Sequence, residues 1–171
     1  MYYDSFFPGL AVFFWKRAQI LVAETWAAFY PLDAREPHPF FPKGVHELTM
    51  FADYRVPQIL HHLGILEYSP SLQSILRSRQ NIPYGSREEL SIRAASIIAV
   101  EAMRDAMALE ASQHPAQKQQ QQQPGVEVVN SVLIDFYLWD LAKRIEGGQE
   151  EIVGITTQAM LPAHRTRSIW Y

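Results

Sequence analysis

The chain has no cysteine among its 171 residues, which rules out disulfides and thiolate zinc sites together. Its six histidines show no H-E-x-x-H spacing, so nothing in the pattern calls for a metal. A basic excess is missing as well: 15 Lys and Arg stand against 18 Asp and Glu, for a net charge of -3 and a pI near 6.1. Affinity for a nucleic acid backbone comes mainly from clustered Lys and Arg, so this balance argues against direct nucleic acid binding and favours a small ligand. There is no long hydrophobic run. The apolar stretch 6–14 contains Pro8 and Gly9 and stops at Lys16 and Arg17, well short of the roughly 20 residues a bilayer requires. A signal peptide places its positive charge before the apolar stretch, whereas here Asp4 precedes it and the basic pair follows. The expectation is a cytoplasmic protein without a membrane segment.

What is present is ample core material: 48% of the residues are hydrophobic and 12% aromatic, enough for a single domain over 1–171. Residues 12–29 are helix-compatible, with Ala18, Ala23, Ala27 and Ala28 supplying propensity and Pro31 closing the segment. The segment is apolar nearly all round, which predicts a buried helix. Residues 30–42 hold four prolines and read as a loop. A short helix is expected over 57–63, with Pro57 in its first turn and Gly64 in the left-handed position after its end. Another short helical segment follows the turn at Tyr68, Ser69 and Pro70. Ser86 and Glu89 form a capping-box pattern that opens a helix running to about Glu110, its apolar residues at Ile92, Ala95, Ala99, Met103 and Ala106. Residues 112–125 are polar and glutamine-rich and read as a disordered surface insertion. A last strong helix spans 128–145, with Val129, Val132, Leu133, Phe136 and Trp139 on one side and Gly147 and Gly148 ending it. Beyond it only 152–155 hints at a strand. The fold class is therefore all-α, four to six helices with an irregular C-terminal arm.

Charged residues in apolar company are the candidates for chemistry, and each has a structural explanation beside the functional one. Asp53 lies in the stretch TMFADYRVPQ, just ahead of the proline that opens a helix, where an aspartate can serve simply as a cap. Lys16 follows Phe13, Phe14 and Trp15, and its stem can lie along aromatic surface with the amine in water. Asp135 and Asp140 flank an aromatic helix stretch where backbone or arginine partners can satisfy them. His164, Arg165 and Arg167 can be a solvated basic tail or a phosphate grip, arginine having the fork that fits phosphate oxygens. Taken together, a carboxylate near an ammonium among aromatic rings suits the cleavage of a nucleoside's N-glycosidic bond. The carboxylate stabilises an oxocarbenium-like transition state and orients water, while ring faces hold the base.

The blocks FWKRAQILVAETW, LTMFADYRVPQILHHLGILEYSPSL, GSREELSIRAASIIAVE, LIDFYLWDLAK and HRTRSIWY occur in the same order as in the queuosine salvage protein family, which the chain resembles. That resemblance implies hydrolysis of queuosine 5′-monophosphate to release queuine for reuse in transfer RNA modification, with no metal or organic cofactor. It also implies a helical fold similar to the helix-hairpin-helix DNA glycosylases. Carried over by motif, the catalytic aspartate of the FADYR block falls on Asp53 and the active-site lysine of the KRAQ block on Lys16. Arg55, Asp135, His164, Arg165 and Arg167 are expected nearby as substrate contacts. The blocks begin at about Phe14, and the family carries a further N-terminal half, so the chain is expected to be the C-terminal half of the family fold, truncated, with self-association through the uncovered face. The alternative reading is a noncatalytic helical module that binds a nucleotide or a partner protein.

Overall fold

The computed structural model describes residues 12–31, 33, 36–42, 44–113 and 129–169. Five helices form among them: α1 Lys16–Ala28, α2 Arg55–His62, α3 Pro70–Arg77, α4 Arg87–Gln113 and α5 Ser131–Glu146. No strand forms among the described residues, and a lone parallel bridge joins Asn81 to Arg165. The all-α expectation holds, and residues 152–155 lie in irregular chain rather than in a strand. Among the described residues no helix is long and apolar enough to cross a membrane.

Local chemistry fixes the helix ends. Ser69 accepts from the Leu72 N–H with Pro70 just inside α3, and Asn130 accepts from Leu133 to start α5. Gly64, at φ +75°, takes the left-handed turn that lets the chain leave α2. The box at α4 is rewired: Ser86 Oγ accepts from the Glu89 N–H, but the Glu89 side chain reaches the Gly85 N–H and also pairs with Arg93. Helix α2 begins at Arg55, two residues before Pro57, because the Asp53 carboxylate already satisfies the N–H groups of Arg55 and Val56. Helix α4 continues through Gln113, so Ser112 and Gln113 close a helix; the rest of the glutamine-rich segment lies outside the described residues.

Helix α2 packs on α5, and α4 packs against both. Between them lies the main core: Val56, Ile59 and Leu60 of α2, Val100 of α4, and Ile134, Leu138, Leu141 and Ala142 of α5, with Met50 from the preceding loop. A second cluster joins Ala23 and Trp26 of α1 to Val45, Phe51 and Val132. A third gathers Tyr68, Leu76, Ile82, Ile92 and Leu161.

Three expectations about faces change. Helix α1 is not buried all round: Ala23 and Trp26 go inside while Leu21 and Glu24 are exposed, because among the described residues the packing partners lie on one side. The buried line of α4 is Glu89, Ile92, Arg93, Ser96 and Val100, and Ala106 is exposed. Helix α5 buries Ser131, Ile134, Asp135, Leu138 and Leu141 against the main core, while Leu133 and Phe136 serve the second cluster. In α4 and α5, polar residues occupy core positions that an apolar periodicity cannot reveal.

Candidate functional site

Residues 49–53 form a short strap between the proline-rich loop and α2, and a side chain from each of three helices holds it. Gln19 of α1 accepts from the Thr49 N–H through Oε1 at 3.0 Å. Asp135 of α5 accepts from the Phe51 N–H through Oδ2 at 2.9 Å. Arg93 of α4 donates through Nε to the Ala52 carbonyl at 3.0 Å. Backbone amides buried without a neighbouring strand or helix must find partners elsewhere, and these three side chains supply them. The strap ends at Asp53, whose Oδ1 accepts from Arg55 and Val56 at 2.9 and 3.0 Å. Asp53 is thus both the cap of α2 and a carboxylate held by two N–H groups at the end of a strap that three helices fix.

Burial raises both enclosed carboxyls. Asp53 is 6% exposed and Asp135 3%. Burial raises Asp53, while the Val56 N–H, the Lys16 ammonium and the Arg55 N–H pull it back. Burial pushes Asp135 up to about 8, with the Asp53 charge adding to the rise and the Phe51 N–H and Lys16 opposing it. At neutral pH Asp135 therefore carries a proton. Burial lowers Lys16 and the Arg93 and Arg17 charges lower it further, against the pull of Asp53 and Asp135. Its Nζ stands 5.8 Å from the centre of the Tyr54 ring. His164 is held down at about 4 by burial first and then by Arg93 and Lys16, so it is a neutral imidazole at physiological pH.

The C-terminal arm reaches this cluster because it is tied to α2 and to the chain before α4. Gln158 and His62 exchange backbone and ring bonds, Gln58 Nε2 donates to the Leu161 carbonyl, and the Ile82 N–H donates to the Arg165 carbonyl. Tyr54, Arg79, Asn81, Glu146 and residues 162–167 line an open cleft of about 430 Å³. His164 belongs to both places: it lines the cleft and feels the Lys16 charge.

The structure thus brings Lys16, Asp53, Asp135 and His164 together. Arg165 and Arg167 lie on the exposed rim of the cleft rather than among them. Arg55 meets Glu146 of the cleft lining at 2.7 Å, with its guanidinium 5.6 Å from the Trp139 ring centre, and its charge still bears on Asp53. Asp140 pairs with Arg144, as its plain reading expects. Sequence reasoning missed Arg93 and Arg79. For Arg93 a signal was available, since Glu89 and Arg93 stand four apart on the α4 face that carries Ile92. Arg79 gave none; it comes to the cleft through a turn in which it adopts φ +55°. Among the described residues no group of three His, Asp or Glu side chains is placed to hold a metal ion.

An all-helical protein that half-buries an amine near two enclosed carboxyls, beside an arginine-rimmed cleft, is in class a candidate nucleotide-processing protein. The sequence profile of the family described as Queuosine salvage protein matches residues 2–171, and the chain belongs to that family. It is 42% identical over 168 residues to the "Queuosine 5'-phosphate N-glycosylase/hydrolase" of Nematostella vectensis, covering 98% of this chain and 44% of that protein. Proteins of the same name from Sphaerobacter thermophilus and Bos taurus are 41% and 39% identical, each over 96% of this chain and 42% of their own length. The chain spans less than half the length of the curated relatives it matches.

Proposed function

We propose that this chain carries the hydrolytic centre for the N-glycosidic bond of queuosine 5′-monophosphate, releasing queuine. The observation that carries the reading is the buried Asp53 carboxylate, fixed by the strap and faced by Lys16. In this reading Asp53 lies against the anomeric carbon. Its charge stabilises the oxocarbenium-like centre as the bond to the base nitrogen breaks. A water oriented by the same carboxylate adds its oxygen to that carbon, and its proton is taken up while the leaving base nitrogen gains one. Lys16 balances charge beside Asp53, and protonated Asp135 is a hydrogen-bond donor at neutral pH. Tyr54 offers a ring face at the cleft, and Arg79, Arg165 and Arg167 offer forks for the 5′-phosphate. The substrate is a small nucleotide, and no step needs a cofactor.

Incubation of the chain with queuosine 5′-monophosphate, with queuine followed by chromatography, tests the reading. Release by the wild type and loss in Asp53→Asn supports it; a folded wild type without turnover removes it. A noncatalytic nucleotide-binding module is the second reading, since the Arg79, Arg165 and Arg167 side chains at the cleft would hold a phosphate whether or not the Asp53 centre turns over. Binding of the nucleotide without release of queuine would identify that case.

A further inference from the structure

Arg93 buries its guanidinium, at 3% exposure, on α4, and its surfaces meet groups that adjoin both members of the Asp53–Lys16 pair. Its Nε donates to the carbonyl of Ala52, the residue bonded to Asp53, at 3.0 Å. Its Cζ lies 4.1 Å from the centre of the Phe14 ring, two residues before Lys16. Its Nη1 meets Glu89 Oε1 at 2.7 Å, and Glu89 is itself fully buried and held by the Gly85 N–H at 3.2 Å. A buried ion pair is expensive to form, and a neutral donor would be enough to satisfy a single carbonyl. What arginine adds is a rigid planar fork that addresses two acceptors in set directions while its face stacks on a ring.

We propose that Arg93 is a positioning residue for the hydrolysis put forward above, a role that rests on that reading: by joining the Ala52 carbonyl to the Phe14 ring, it fixes the spacing between the Asp53 carboxylate and the Lys16 amine. It touches neither acid nor amine through these bonds and acts through the two backbone segments that carry them. Its charge has a second effect, since it lowers the proton affinity of Lys16, which also faces Asp53, Asp135 and Arg17, and of His164, which also faces Lys16.

The test compares Arg93→Met and Arg93→Lys in the whole chain, with the folded fraction measured by circular dichroism. Folded Arg93→Met is expected to lose about a hundredfold in kcat with KM within about threefold, the penalty of a small misplacement of reacting groups. Its His164 ring, followed by NMR, titrates at higher pH than in the wild type. Arg93→Lys keeps the charge and leaves the His164 titration in place, yet kcat stays down by about tenfold because one ammonium cannot reproduce the fork. Wild-type kcat in either folded variant, or a loss carried by KM alone, overturns the proposal. If Arg93→Met does not fold, Arg93→Lys decides. A reading independent of turnover separates this inference from the hydrolase reading. Asp53→Asn shifts the Lys16 titration downward in the wild-type background, and that shift shrinks in Arg93→Met or Arg93→Lys if Arg93 sets the spacing. An undiminished shift sinks the inference even where queuine is released. A folded wild type that releases none sinks the hydrolase reading while the shift still judges Arg93.

Discussion

Asp53 and Arg167 are charged residues of one neighbourhood, yet the fold treats them oppositely. Asp53 is enclosed, accepts two backbone N–H bonds, and sits at the end of a strap tied to α1, α4 and α5. Arg167 and Arg165 stand exposed at the rim of an open cleft on an irregular arm. Charges inside a low-dielectric enclosure act strongly on one another and cost no reorganisation when chemistry begins, whereas exposed charges are screened by salt and move freely. In the proposed reading the first region stabilises a developing charge and the second captures an anion. The difference predicts where substitutions will change turnover and where they will change only affinity.

The largest effect is expected at Asp53→Asn. Asparagine keeps the acceptor that caps α2, so the thermal midpoint should move little while kcat falls by about 10²- to 10⁴-fold. Equal losses of stability and activity, measured by thermal melting and queuine release, would reduce Asp53 to a cap. At the cleft, Arg165→Ala with Arg167→Ala should raise KM by about tenfold with kcat nearly unchanged, and the gap should narrow at high salt. A fall in kcat instead would place the rim inside the reacting centre.

The third test is pH. Asp135, near 3.9 when unfolded and about 8 when folded, binds a proton that stabilises the native state fully at low pH; that contribution declines as pH rises through 8. His164, near 6.5 unfolded and about 4 folded, works the other way, its contribution present above 6.5 and lost as pH falls toward 4. The two slopes oppose each other between about 4 and 6.5, and only that of Asp135 remains from 6.5 to 8. Urea midpoints should therefore fall over that upper window. Asp135→Asn should abolish the fall and uncover a rise between pH 4 and 6.5. Smallest of all is Glu146→Gln: its bond to Arg55 is half exposed, and the stability change should stay under about 1 kcal/mol in thermal melts.

Much of the framework was legible because it is written locally. Pro57 and Gly64, Ser69 and Pro70, Ser86 and Glu89, and the Gly147–Gly148 pair act within a turn or two, and each marks a helix end that the fold contains. The motifs FADYR and KRAQ singled out Asp53 and Lys16, and the fold buries the first and half-buries the second beside it. Arg55, expected among the substrate contacts, meets Glu146 of the cleft lining, a residue 91 positions away whose approach no local pattern records. Arg93 escaped because its role depends on the carbonyl of Ala52, 41 residues earlier.

The sequence by itself determined that the chain would be helical, where most helices begin and end within a turn, and which acid and amine to look for, since caps, prolines, glycines and motifs act over a few residues. Only the tertiary structure decided which faces are buried and how the strap is held. It also decided that Asp135, enclosed near Asp53, is pushed up to about 8. Those outcomes depend on desolvation and on partners brought together from distant segments, and neither burial nor a field from 80 residues away leaves a trace in a linear string.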